Sequence, residues 1–90
     1  MSLFVISYDQ HKDKDYTPVW TLLKQWGAVR ILESVWLVDI GQKATWVRDT
    51  LRAKTHEEDS VMVIQIFPNS DWSTFGSLKA GVDWLKKYSP

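Results

Sequence analysis

The side chains able to do chemistry are few and scattered. Asp9 closes the apolar run Leu3-Phe4-Val5-Ile6-Ser7-Tyr8, and an Asp at such a place is most often a turn-former or a helix cap. Arg30 stands inside an apolar, extended stretch, where an arginine usually snorkels or finds a carboxylate. Ser34 has no His near it in sequence to act as a base, so it reads as a turn residue rather than a nucleophile. His11 and His56 sit in polar stretches outside any metal-ligand spacing and read as surface residues. The chain has no Cys, which excludes a thiolate nucleophile, a disulfide framework and a thiolate zinc site. No Gly-rich phosphate loop, dinucleotide fingerprint or triad signature is present.

Composition narrows the classes further. Ninety residues make one domain, with a core at 3–67 and a C-terminal extension at 68–90. Eleven basic residues balance eleven acidic ones, which argues against strong nonspecific attraction to nucleic acid while leaving room for a local basic patch. The runs Lys12-Asp13-Lys14-Asp15 and Lys86-Lys87 read as solvated faces. The apolar runs are too short to cross a membrane, and the start lacks a secretory pattern, so the expectation is a cytoplasmic protein with no membrane partner. Six Trp are many for so small a body, and part of that aromatic surface is expected to meet a partner.

The elements that must position these residues follow from periodicity. Residues 3–8 read as a central strand covered on both faces. Thr17-Pro18 reads as an N-cap followed by the first helical position. Val19, Leu22, Leu23 and Trp26 form one helical face, which Gly27 ends. Residues 28–40 are extended. The polar pair Glu33-Ser34 at their middle leaves open either one bent strand or a hairpin. Ala44, Val47 and Leu51 mark a second helix, and His56-Glu57-Glu58-Asp59 a charged turn. Residues 60–67 are the clearest strand, ended at Pro68. Phe75, Leu78, Val82 and Leu85 favour a short C-terminal helix despite Gly81. Trp20, Trp46 and Trp84 fall off the cleanest helical faces and are expected chiefly under a second subunit, while Trp72 is placed to plug a groove beside the last strand.

With a hairpin in the middle the order is βαββαβ. That order predicts an α+β fold, the ferredoxin-like plait, with two helices on one face of a four-stranded antiparallel sheet. The strands carry apolar residues on both sides, so a second copy or the C-terminal segment must cover the other face.

The ordered set of a strand ending Ser7-Tyr8-Asp9, a helix closed by Gly27, the segment Arg30-Ile31-Leu32-Glu33-Ser34-Val35-Trp36 and the strand opening Glu58-Asp59-Ser60-Val61 resembles the CRISPR-associated protein two family. That family is the small dimeric partner of the spacer-acquisition integrase, and the similarity covers roughly residues 3–67. The resemblance implies a ferredoxin-like homodimer that binds DNA or RNA, either as a metal-dependent endonuclease or as a scaffold beside the CRISPR spacer integrase subunit. It also implies an Asp9 from each copy facing the other across the dimer axis, as catalytic residue and metal ligand. Mg²⁺ suits such a site, because it prefers carboxylate oxygens and completes its shell with water and substrate phosphate. Tyr8 would then orient or stack, Arg30 contact phosphate, Ser34 donate a hydrogen bond, and Trp36 supply the ring that the family provides as Phe.

The departures are specific. Lys12, Lys14, Tyr16, Thr17 and Pro18 stand where many members carry arginines, Leu32 replaces a Gln, and a helical pattern replaces a C-terminal strand. Two other functions fit the same scaffold. One is a toxin-like ribonuclease, as in the virulence-associated protein D family. The other is a non-enzymatic dimeric module that binds protein through its aromatic surface, which the zero net charge and missing arginines favour.

Overall fold

The computed structural model describes residues 2–11 and 13–89, so Lys12 of the charged run lies outside the described residues. The chain runs β1 (Leu3–Tyr8), α1 (Thr17–Gln25), β2 (Val29–Leu32), β3 (Val35–Asp39), α2 (Ala44–Arg52), β4 (Val61–Ile66) and α3 (Lys79–Tyr88). The four strands form one antiparallel sheet in the order β2-β3-β1-β4. β1 is thus an interior strand, as its nearly unbroken apolar run requires.

Residues 28–40 form a hairpin, not one bent strand. Glu33 and Ser34 make the turn between β2 and β3, where two polar residues interrupt the apolar alternation. The pairing places Arg30 opposite Trp36 and Val29 opposite Leu37, with a register shift between Arg30 and Leu32.

Register decides what each face carries, because successive side chains point to opposite sides. On one face Phe4, Ile6, Tyr8, Trp36 and Val38 pack with Val19 and Leu23 of α1 and with Val47 and Leu51 of α2. Each such side chain contributes roughly 1.5–3 kcal/mol by leaving water. On the other face Leu3, Ile31 and Leu37 pack with Trp84 and Leu85 of α3. The C-terminal segment therefore supplies a cover for the second face, and Trp84 is buried within its own chain instead of waiting for a second subunit.

That cover is partial. α3 packs on β2 and β3, while Met62, Ile64 and Phe67, on and just beyond β4, stay exposed. Gly81 lets α3 come close, since a Cβ there would sit 2.7 Å from the Ile31 Cα. Beside α3 the segment 70–77 and β1–β4 enclose a groove of about 460 Å³ with Val5, Val35, Ile66 and Trp72 in its lining. Trp72 stands beside the last strand, and its Nε1 donates to the Ser89 carbonyl.

Two boundaries differ from the sequence pattern. Tyr16, not Thr17, is the residue before the first helical turn, and the Asp15 carboxylate accepts the Thr17 N–H at 2.9 Å. An Asp reaching two residues ahead competes well with a threonine cap. The last helix starts at Lys79 instead of Phe75, because the Leu78 N–H is held by the Ile31 carbonyl at 3.0 Å. Phe75 is left 99 % exposed before the helix begins.

Candidate functional site

The N-terminal end of α1 and the start of β4 meet over a buried carboxylate. Asp59 is only 5 % exposed, although the charged sequence around it predicts a surface turn. Its Oδ1 accepts the Tyr16 hydroxyl at 3.0 Å and the His11 Nδ1–H at 2.8 Å, and its Oδ2 accepts the His56 N–H at 2.9 Å. Tyr16 in turn accepts the His11 N–H at 2.8 Å. The His56 Nε2–H donates to the Asp15 carbonyl at 2.9 Å. Both histidines are therefore fastened to the fold, and His11 remains exposed while it is so held. Partners 48 and 43 residues apart in sequence leave no local spacing from which to read the cluster.

The electrostatics of Asp59 follow from this geometry. Burial pushes its carboxyl upward, but the His56 N–H, the Tyr16 hydroxyl and His11 together outweigh it and hold the group below the ordinary aspartate value. Tyr16 moves upward, chiefly through burial and with the Asp59 charge adding to it.

The Tyr16 ring stacks on Tyr8, with centroids 5.7 Å apart. The Tyr8 hydroxyl accepts two indole N–H groups, Trp20 at 2.8 Å and Trp36 at 3.3 Å. Those two rings hold Arg30, whose guanidinium carbon lies 5.0 Å from the Trp20 centroid and 4.7 Å from that of Trp36. Each contact of this kind is worth about 0.5–2 kcal/mol. The Arg30 Nε is buried without a hydrogen-bond partner, and none of the ion pairs among the described residues involves Arg30 or Lys24.

Arg30 opens onto a cavity of about 520 Å³ at the junction of α1, β2 and α3, lined by Trp20, Lys24, Ala28, Val29, Trp36 and Ala80. Among the described residues no carboxylate lines it. Trp20 and Lys24 share the α1 face at i, i+4, and that spacing is the one sequence signal for the site that a search for apolar faces passes over.

Of the residues singled out from the sequence, the fold brings Tyr8, Arg30 and Trp36 together. Asp9 lies elsewhere. It is exposed at the end of β1, its N–H is held by the Ser60 carbonyl at 3.0 Å, and it lines a depression of about 210 Å³ with Ser7, Ser60 and Met62 on the β4 side. That depression and the Arg30 cavity have no lining residue in common. Ser34 sits in the β2–β3 turn, where its carbonyl accepts the Tyr8 N–H at 3.3 Å.

As a metal centre, the Asp9 depression of one chain offers a single carboxylate among hydroxyls. Among the described residues no three His, Asp or Glu side chains converge as a metal-ligand group. The donors of one chain do not fit a tightly held divalent ion, since Mg²⁺ bound by protein needs carboxylate oxygens and a near-octahedral shell.

No helix among the described residues is long and apolar enough to cross a membrane. No family model matches the chain, and no solved structure matches it.

Proposed function

We propose that this chain is a nucleic-acid-binding protein similar to CRISPR-associated protein two, built on a ferredoxin-like plait and working as a homodimer. The observation that carries the reading is Arg30, an arginine held against two indoles and without a carboxylate partner among the described residues. An arginine in that state is a ready contact for a phosphate oxygen. The plait is supported by the sheet order β2-β3-β1-β4 around two crossover helices. The dimer is supported by the apolar side chains on and beside the edge strand β4, where Met62, Ile64 and Phe67 stay exposed.

Nuclease chemistry is the more demanding version of this reading. A shared Mg²⁺ would take Asp9 from each of two copies, since one chain offers a single carboxylate there.

Fluorescence anisotropy with labelled single- and double-stranded RNA and DNA at low salt tests the proposal, with Arg30→Gln beside the wild type. The expected result is binding that weakens as salt rises and is lost in the variant. Equal binding by both proteins removes Arg30 from the interface. No binding at low salt returns the non-enzymatic interaction module. Adding Mg²⁺ and comparing Asp9→Ala separates holding from cleaving.

A further inference from the structure

We propose that the Arg30–Lys24 cavity recognises a phosphate monoester carried on a nucleoside, either the phosphorylated end of a nucleic-acid strand or a free mononucleotide. This inference rests on the preceding reading for its biological setting and adds which part of a nucleic acid the cavity takes.

The Arg30 guanidinium packs against two indoles, with its central carbon 5.0 Å from the Trp20 centroid and 4.7 Å from that of Trp36. Tyr8 fixes those two rings by accepting both indole N–H groups. Two rings already occupy the surroundings of the guanidinium plane, so its N–H donors are the groups that a ligand would engage. A planar edge of N–H donors matches two oxygens of one oxyanion. The Nε, buried and unpartnered, is the kind of orphan donor that calls for an explanation.

Charge selects the oxyanion. Among the described residues the cavity is lined by two cations, Arg30 and Lys24, and by no carboxylate. A terminal phosphate monoester carries a charge of about −1.5 to −2 near neutral pH, which balances the pair. An internal phosphodiester or a carboxylate brings one negative charge and would leave a cation over. Size selects the rest of the ligand. A cavity of about 520 Å³ falls in the range of small-molecule sites, and its remaining walls, Ala28, Val29, Ala80 and the indoles, are apolar. They suit a flat nucleoside body behind the phosphate.

Isothermal titration calorimetry tests this with one short single strand in 5′-phosphorylated and 5′-hydroxyl forms, and with adenosine monophosphate, adenosine and inorganic phosphate. The phosphorylated strand is expected to bind roughly tenfold tighter or more than its hydroxyl form, the magnitude of one or two charge-assisted hydrogen bonds. Adenosine monophosphate should bind, adenosine should not, and inorganic phosphate should bind more weakly. Arg30→Lys keeps the charge and removes the fork, and Lys24→Met changes only an exposed side chain. Each should erase most of the preference while thermal unfolding stays cooperative.

Equal affinity for both strand forms, with no binding of the monophosphate, overturns the inference and leaves the broader proposal standing on backbone contacts. Binding of the monophosphate without any strand keeps the inference and overturns the broader proposal. Inorganic phosphate binding as tightly as the monophosphate overturns the nucleoside part. No binding of any probe overturns both.

Discussion

A buried carboxylate and a partly buried guanidinium mark the ends of the Tyr8–Tyr16 stack, and they are treated in opposite ways. At one end the Asp59 carboxylate accepts hydrogen bonds from His11, Tyr16 and His56. At the other, the Arg30 guanidinium has two aromatic faces against it and a buried Nε with no acceptor. Satisfied buried networks rigidify a fold, while unsatisfied ones cost stability unless a ligand completes them. The contrast fits an architectural part for the Asp59 cluster, which ties the loop after β1 to the entrance of β4, and the proposed recognition role for Arg30.

The most severe way to break this contrast is Asp59→Ala. It strands the buried Tyr16 hydroxyl and the His56 N–H together, and the loss expected is about 3 kcal/mol from unmatched donors and lost charge-assisted bonds. Urea unfolding followed by far-ultraviolet circular dichroism gives the value. A loss below half a kcal/mol would mean that water replaces the carboxylate without cost and that the cluster is not structural.

Titration sharpens the same point. The Asp59 carboxyl lies lower in the folded chain than in the unfolded one, where it titrates at about 3.9. The unfolded state therefore takes up the proton first as pH falls. The contribution of Asp59 is complete above about pH 5 and declines as pH drops through the folded value. Unfolding midpoints measured from pH 7 to pH 3 should fall more steeply in the wild type than in Asp59→Asn. Parallel curves would assign the acid sensitivity to the exposed carboxylates Asp15, Glu58 and Asp83, which also lie low, through Thr17, Lys14 and Lys79 respectively.

The two regions were unequally legible in the sequence, for a physical reason. An unbroken apolar run announced β1, a 3.6-residue period announced α1 and α2, and Glu33-Ser34 marked the hairpin as one of two options. These signals are local, because backbone periodicity is local. The second cover for the sheet was readable as a need, and the C-terminal segment was one of the two candidates named for it. The Asp59 cluster was not readable, since its members meet only after β1 and β4 pair. Asp59 looked like one more charge in the turn 56–59, and its bonds to His11 and Tyr16 span 48 and 43 residues. Arg30 and Trp36 were each singled out through the family resemblance, and not as a pair. The clamp itself needed Trp20, whose ring turns inward because Tyr8 offers its hydroxyl from the sheet beneath.

Tyr8 joins the two ends and should feel both. Tyr8→Phe keeps the stack on Tyr16 and removes the acceptor for two indole N–H groups, one of them on the buried Trp36. The expected loss is about 1–2 kcal/mol. A second effect should be a weaker preference for the phosphorylated strand, because the rings that hold Arg30 lose their anchor. Stability lost with the preference intact would make Tyr8 a core residue only.

Arg30→Met is the smallest change in stability and the most discriminating. Methionine fills the space between the indoles with a flexible apolar chain and keeps contact with aromatic rings through its sulfur. It gives up two cation–π contacts but also removes a buried donor with no acceptor. These effects oppose each other, so the net change is expected within about 1 kcal/mol of zero, of either sign. A loss as large as that of Asp59→Ala would place Arg30 among the structural residues and erase the distinction between the two ends. A neutral or stabilising result, with strand binding gone, is the outcome that a recognition role requires. It would mean that the folded chain tolerates the stranded Nε for the sake of a ligand and not for its own stability.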